Sequence, residues 1–388
     1  MPIAAVPGYL GNDFRSASPG LRFGLYFQGW NNNWRKHVPD ARNNESSAVK
    51  SACAMTDSDI AAMQSLLKRQ QAAFNSTSNN VSTLQLDAIS TSPLATGLGN
   101  EHPTENGFTF LNPYGLPYLP GSGVKGVLRQ AAHELASGEW GESDWTDACI
   151  LALFGPEPGA ETLIRGALTF WDVLPQVKGN SLTVEIMTPH QKHYYQEGKS
   201  PHDSGQPVPI TFLSVPPGSG FTFHVQCHRA LLESSAQELM HNDKWKHLLQ
   251  SAFEHAFNWL GFGAKSAIGY GAMQEDESKK REREKQQAEQ REQERRLTLS
   301  PADLAYEESR PVIEKFRRSF EAANKAAYQP GQEFDSKRNE FIQAATAWSD
   351  QRSRSEASCL LEETLKWGIS KKGKDRLRAV LLELKPKS

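Results

Sequence analysis

A basic helix start at Pro117–Arg129 is the first segment whose residue types suit ligand binding. The sequence PYLPGSGVKGVLR places a Pro/Gly/Ser turn directly before a helical stretch, with Ser122 as the predicted N-cap. Lys125 and Arg129 lie four residues apart, so they share one face of that helix. Free backbone N–H groups and the positive end of the helix dipole favour anions, so the segment predicts a site for one or two phosphates. An ordinary capped helix with two solvated cations is the alternative, which the residues alone favour.

A glycine-rich loop, GFGAKSAIGYG, is the second such segment. Glycine lets a backbone approach a ligand closely and adopt positive φ, while a lysine can hold a phosphate and a tyrosine can stack on a base. The loop lacks the GK[ST] spacing of a nucleotide-binding P-loop. A binding loop and a plain helix-to-strand turn therefore remain equal interpretations. The residues concerned are Gly261, Gly263, Lys265, Gly269, Tyr270 and Gly271.

Histidines supply the remaining candidates for chemistry. Metal-independent RNA cleavage needs a base and an acid, and His102, His133 and His190 are the obvious candidates. No pair of them identifies itself, so no catalytic residue is predicted. The histidines between Asp172 and Val215 match no recurrent metal-site spacing, and the four cysteines are scattered without a CxxC pair. Neither a metal nor a cofactor is predicted.

The composition is that of a globular protein with an uneven charge distribution. Hydrophobic residues make up 38% of the 388 residues and charged residues 23%. No apolar run approaches the ~20 residues that span a bilayer, and no secretory signal is visible, so we expect a cytoplasmic protein without a membrane partner. Residues 1–274 carry 18 Lys/Arg against 23 Asp/Glu. Because free-standing nucleic-acid binders are usually basic, any RNA contact there must use a local patch.

Hydrophobic periodicity predicts an α+β fold for the first 274 residues. The order is strand, helix, strands, helix, strand, which permits a ferredoxin-like sandwich with two helices on one face of an antiparallel sheet. The predicted strands are Leu21–Trp30, Leu84–Ile89, Gly166–Asp172, Phe221–Cys227 and Ile268–Met273, and the predicted helices are Asp57–Phe74, Val124–Leu135 and Asp243–Leu260.

The chain changes character after Met273. Residues 275–296 contain eight acidic and eight basic residues without Gly, Pro or an aromatic, which predicts a solvated helix or linker. Helical stretches separated by breakers follow to the C-terminus, which predicts a small all-α domain or extension. We expect helices at Ala302–Ala327, Phe334–Ser349, Glu356–Trp367 and Asp375–Leu384.

The order of these segments resembles the RAMP superfamily of CRISPR proteins. Its PGSS-x-KG-x-R signature corresponds to Pro120–Arg129, with Gly123 in place of the second serine. Within the superfamily, the sequence motifs are similar to those of the sixth subunits of Cmr (type III-B) effector complexes. The other matching segments are Thr96–Gly99, Leu153–Gly155, Gly166–Asp172, Thr188–His190, Tyr194–Tyr195, Pro207–Val215 and Gly261–Gly271.

The resemblance implies a ferredoxin-like or RRM-like RAMP domain over residues 1–274. Insertions would lie at about 31–83 and 173–215, the second of them a thumb. Residues 275–298 would be a charged helix or linker, and residues 299–388 an all-α C-terminal extension outside the usual family.

The resemblance also implies a function, namely a non-catalytic RNA-binding subunit that caps the effector filament near the 3′ part of the guide RNA. Its partners would be the guide RNA, the target RNA and other RAMP subunits, for RNA-guided antiviral interference. RNA contacts are then expected at Ser122, Lys125 and Arg129, in the glycine-rich loop, and at His190. Two alternatives remain, a RAMP endoribonuclease for guide processing or target cleavage, and a structural scaffold with little RNA contact.

Overall fold

The computed structural model separates the chain into two compact units, Met1–Arg281 and Glu282–Ser388. It describes residues 3–35, 45–76, 81–157, 159, 164–188, 198, 200, 209–325, 333–365 and 371–384. The first unit combines helices with antiparallel sheets, so the predicted α+β class is confirmed.

A four-stranded antiparallel sheet forms the centre of the first unit. Its spatial order is β4-β7-β1-β8, so β4 lies at one edge of the sheet and β8, the last strand, lies at the other. The β1–β7 ladder is the longest and pairs Val81 with His228 through to Ile89 with Gly220. The four strands are β1 (Val81–Ser90), β4 (Leu168–Phe170), β7 (Gly220–His228) and β8 (Met273–Glu275).

Two short ribbons accompany this sheet. β2 (Phe110–Leu111) pairs with β3 (Leu116–Pro117), just before the signature helix. β5 (Thr183–Met187) pairs antiparallel with β6 (Ile210–Ser214). The second ribbon lies at the two ends of the predicted thumb, whose residues 189–197, 199 and 201–208 lie outside the described part of the chain.

The helices of the first unit include the two that were predicted from the sequence at Val124–Leu135 and Asp243–Leu260. The first is α4, which buries Val124, Leu128 and Ala131 at helical spacing. The second is α7, which is fully buried at Trp245 and continues into a π turn at Ala256–Leu260. The helices are α1 (Pro19–Phe23), α2 (Glu45–Ser51), α3 (Asp57–Asn75), α4 (Gly121–Ala136), α5 (Asp147–Phe154), α6 (Arg229–Ala236) and α7 (Lys244–His255).

A continuous hydrophobic core joins the sheet to α4 and α7. Inward residues of β1 and β7, such as Leu86 and Phe223, pack against Leu128 and Phe253. Each buried aromatic or aliphatic side chain of this kind stabilises the fold by about 1.5–3 kcal/mol relative to an exposed one. This core holds α4 rigidly on the sheet, so that its outer face keeps a fixed position.

Two strand predictions are wrong. Leu21–Trp30 has strand composition, but its first part belongs to α1, because Pro19 starts a helix and the Arg22 guanidinium donates to the carbonyls of Ser51 and Ala54. Ile268–Met273 is replaced by a 3₁₀ turn at Ser266–Ile268 and a strand that begins only at Met273. In both places tertiary contacts outweigh local propensity.

The second unit is helical throughout its described residues. Its apolar core contains Phe316, Phe341, Leu361, Leu377 and Leu381. The predicted helices are confirmed with slightly different ends, as α9 (Pro301–Lys325), α10 (Glu333–Ala347), α11 (Gln351–Thr364) and α12 (Lys371–Leu384). The charged run forms α8 (Glu277–Thr298), whose side chains are mostly exposed. None of the helices described here is long and apolar enough to cross a bilayer.

Candidate nucleic-acid interface

The start of α4 is arranged differently from the sequence prediction. Pro120 is the N-cap, with extended backbone angles, and Ser122 is an exposed residue of the first turn. The N–H of Gly121 donates to Asp172 Oδ1 at 2.8 Å. The prediction of a Ser122 N-cap is therefore wrong, because a carboxylate from the end of the β4 segment satisfies this helix end instead.

Lys125 lies one turn further along α4 in a cationic environment. Its side chain is half-buried, and burial lowers its pKa, as do the nearby charges of Arg129 and Arg165. Among the residues that the structure describes, no carboxylate lies within ion-pair distance of Lys125 or Arg165. Lys125 and Arg165 carry like charges and repel each other. An anion bound between these two cations would relieve the repulsion.

Arg165 reaches this region from the segment just before the edge strand β4. Its Nη2 donates to Thr169 Oγ1 at 3.1 Å and lies 3.3 Å from His228 Nε2. The same His228 nitrogen is 3.2 Å from Thr169 Oγ1. Sequence reasoning missed Arg165 and His228, which are 63 positions apart and meet only because β4 and β7 are neighbours in the sheet.

Arg129 faces the same side of α4 but has a different set of contacts. Its Nη2 donates to the carbonyls of Phe154 at 2.8 Å and Gly155 at 3.2 Å, and its Nη1 lies 3.5 Å from Glu157. The side chain is only 15% exposed. Arg129 therefore fastens the C-terminal end of α5 to α4. We refer to Lys125, Arg129, Arg165 and His228 together as the cationic patch.

The glycine-rich loop lies against the β5–β6 ribbon. Lys265 Nζ is 2.7 Å from Met187 Sδ and stands over the Phe212 ring at 5.3 Å. The Tyr270 hydroxyl donates to Glu185 Oε2 at 3.4 Å, and burial together with this carboxylate raises its pKa. The structure thus joins the loop to the base of the predicted thumb, a contact that the sequence did not reveal.

The glycines of this loop all have positive φ, but the space around each of them differs. A Cβ on Gly271 would lie 1.8 Å from the Phe262 carbonyl oxygen, so the chain path itself requires glycine there. Gly269 has φ of 95° and open space around it. Gly269 is therefore the position at which a ligand backbone can approach most closely.

The candidate histidines are not arranged as a catalytic pair in the described residues. His102 Nδ1 lies 2.6 Å from Thr104 Oγ1 and 3.1 Å from the Thr104 N, and its Nε2 lies 2.7 Å from the Phe23 carbonyl oxygen, so both ring nitrogens have partners. His133 pairs with Glu157 at 3.1 Å on the surface. His190 lies outside the described residues. No group of three or more potential metal ligands occurs within the described ranges.

Helix α4, the glycine-rich loop and the strands β4 and β7 all fall within one region of the chain that matches a known family. Residues 88–274 match the RAMP superfamily model. The resemblance that the sequence motifs predicted is confirmed. The RAMP region begins inside β1 and ends inside β8, and it contains the whole cationic patch.

Two curated relatives of this chain carry the name of one CRISPR subunit. Cmr6 of Pyrococcus furiosus is 28% identical over 235 residues, which cover 47% of this chain and 65% of the relative. Cmr6 of Saccharolobus solfataricus is 28% identical over 172 residues, which cover 44% of this chain and 49% of the relative. The chain thus spans between about half and two thirds of the length of these relatives.

Solved structures of the same group also resemble the chain. A type III-B Cmr-beta complex bound to cognate target RNA contains a chain with 18% identity and a TM-score of 0.39, covering 60% of this chain and 70% of the other. The crystal structure of Cmr6 from Pyrococcus furiosus has 24% identity and a TM-score of 0.30, covering 51% and 99%.

Proposed function

We propose that this chain is an RNA-binding subunit of a type III-B CRISPR effector complex of the Cmr kind. The cationic patch carries the proposal, since Lys125 and Arg165 lie together without a carboxylate partner among the described residues, inside the RAMP region. Phosphate contacts supply most of the affinity of proteins for nucleic acids. The patch holds the backbone of the guide RNA, while base pairing between guide and target RNA supplies sequence choice.

The order of the elements supports a ferredoxin-like or RRM-like core for this function. The chain runs β1, α4, β4, β7, α7, β8, and the sheet order β4-β7-β1-β8 places the first strand next to the last. We propose that the β5–β6 ribbon is the base of a thumb inserted in the chain between β4 and β7. We propose further RNA contacts at Ser122, at His190 and along the glycine-rich loop, whose Lys265 and Tyr270 contact this ribbon.

We propose further that the subunit is non-catalytic and caps the filament near the 3′ part of the guide. The ring of His102 is fully engaged by Thr104 and Phe23, which supports a structural role for this histidine. The capping position follows from the resemblance to sixth Cmr subunits and to the relatives of that name. RNA cleavage by the purified chain that is abolished by His133→Ala would support the endoribonuclease alternative instead.

Tagged full-length protein, purified from its native host with sequencing of bound RNA, tests the role. We expect small RNAs with repeat-derived ends together with other RAMP subunits. Recovery of the protein alone, free of RNA and subunits, would contradict the proposal.

Crosslinking of the recovered complex tests the site and separates RNA binding from scaffolding. Guide RNA is expected to crosslink near Lys125 and Arg165, and the Lys125→Gln/Arg165→Gln variant is expected to lose that crosslink. Lys178→Gln is a matched control, because this lysine lies in the same unit but in a separate turn. A complex that assembles normally but shows no crosslink at the patch would favour the scaffold alternative.

A further inference from the structure

Two tryptophans form an exposed aromatic pair at the end of α4. This pair is chemically different from the cationic patch. Trp140 follows the C-terminus of α4 and is 44% exposed, while Trp259 lies in the π turn after α7 and is 66% exposed. Their ring centroids are 5.1 Å apart. Tryptophan is enriched among the residues that carry most of the binding energy of protein interfaces.

Buried contacts fix the position of this pair. His255 is only 6% exposed, and its ring packs edge-on against Trp140 with centroids 4.6 Å apart. His255 Nε2 bonds Glu134 Oε2 at 2.6 Å. The Gly261 N–H donates to the Ala256 carbonyl at 2.8 Å, which closes the π turn that carries Trp259. The two rings are thus held in place before any partner arrives.

The chain on either side of Trp140 is acidic. Residues 130–147 contain five Asp or Glu residues and no Lys or Arg. Glu134 lies in the last turn of α4, and Glu139 and Glu142 flank Trp140. A carboxylate just beyond a helix C-terminus opposes the helix dipole, so Glu139 and Glu142 do not stabilise α4 through that dipole. Such a surface attracts cations and repels the phosphates of RNA.

We propose that Trp140 and Trp259 form a docking site for a basic segment of a protein partner, with an arginine side chain of that partner placed on the tryptophan rings. A guanidinium over an indole face is attracted by the ring electrons, and the surrounding carboxylates of Glu139 and Glu142 strengthen this attraction. RNA is disfavoured as the occupant, because base stacking here would bring phosphates against those carboxylates. The site is separate from the cationic patch and does not depend on RNA binding.

The test uses full-length protein and a glycine–serine peptide that carries several arginines. The control peptide has citrulline in place of each arginine, which keeps the shape and removes the charge. Binding is followed through the indole N–H signals of the tryptophans by NMR. We expect the arginine peptide to shift the Trp140 and Trp259 signals and the citrulline peptide to leave them unchanged.

Variants identify the residues responsible. Trp259→Ala is expected to weaken binding of the arginine peptide by about 3- to 30-fold, the range that cation–π contacts give. Trp34→Ala is the matched control, because Trp34 is 60% exposed but has no ring contact with the pair. Glu139→Gln/Glu142→Gln is expected to weaken binding most at low salt. The Lys125→Gln/Arg165→Gln variant should bind the peptide as well as the unaltered protein does.

Three outcomes would overturn the proposal. The first is equal binding of the citrulline peptide, which would indicate an apolar site without charge recognition. The second is failure of the arginine peptide to shift either signal at low salt. The third is a shift of the same two signals by a uridine oligonucleotide that Trp259→Ala abolishes, which would assign the pair to RNA.

Discussion

The two ends of α4 differ in charge although a single apolar face packs the helix against the core. Towards its start, Lys125 lies beside Arg129 and Arg165, with burial and like charges lowering its pKa. At its end, Glu134 binds the buried His255, and exposed tryptophans and carboxylates follow. The apolar face of a helix therefore determines where it packs, while its outer face determines what each end binds.

A second difference lies within the cationic patch itself. Arg129 donates to two backbone carbonyls and is nearly buried, whereas the polar partners of Arg165 in the described part of the chain are a hydroxyl and an imidazole. Both are arginines within one patch, yet one maintains the fold and the other remains available to an anion. Residue type alone did not distinguish these roles.

The largest expected effect tests the structural role of Arg129. Arg129→Ala leaves the carbonyls of Phe154 and Gly155 without their donor and should lower the free energy of unfolding of the first unit by about 3 kcal/mol. Lys125→Ala should change it by less than ~1 kcal/mol. Urea unfolding of both variants measures this difference. Equal losses would show that the two cations have the same role.

The next effect concerns the salt dependence of RNA binding. The Lys125→Gln/Arg165→Gln variant removes two phosphate contacts, so the negative slope of log affinity against log salt should become shallower by about 1.4 on a single strand. Trp259→Ala should leave this slope unchanged. Titration of a single-stranded RNA at several salt concentrations provides the measurement. If Trp259→Ala changed the slope more than the Lys125→Gln/Arg165→Gln variant does, RNA binding would be assigned to the tryptophan end of α4 and not to the cationic patch.

The pH dependence of stability tests the acidic end. Burial by itself would raise the pKa of Glu134, but hydrogen bonds from Gln130 and His255 outweigh it and the pKa is lowered. A lowered folded pKa contributes stability above the unfolded value of about 4.3, and this contribution is lost as pH falls through the folded pKa. Glu134→Gln should flatten the acid limb of a stability–pH curve. An unchanged acid limb would show that the His255 contact contributes nothing.

The smallest expected effect is the chemical reactivity of Lys125. Because its pKa is lowered, a larger fraction of Lys125 is neutral near pH 9 than for an ordinary lysine, so its acylation should be faster. Bound RNA should suppress this reaction, because an anion restores the charged form. Mass spectrometry after brief acylation compares Lys125 with Lys178. Equal rates without RNA would argue against close cations at the patch.

The fold was predictable where its signals are local. Val124, Leu128 and Ala131 repeat at helical spacing, and this predicted α4 within a few residues of its observed bounds. Leu21–Trp30 was predicted wrongly, since strand composition there is outweighed by the contacts of Arg22 with the chain end of α2. Part of the site was predictable in the same way, because Lys125 lies in a signature that resembles a family.

The sequence by itself determined the α+β class, the RAMP resemblance, the helical C-terminal unit and the acidic bias of residues 130–147. Tertiary structure alone decided that Arg165 and His228 meet across β4 and β7, that Asp172 occupies the start of α4, and that Trp140 meets Trp259. The physical reason is distance along the chain. Periodicity and capping act over a few residues, whereas these contacts join residues that are brought together only by the pairing order of the sheet and the packing of α4 against α7.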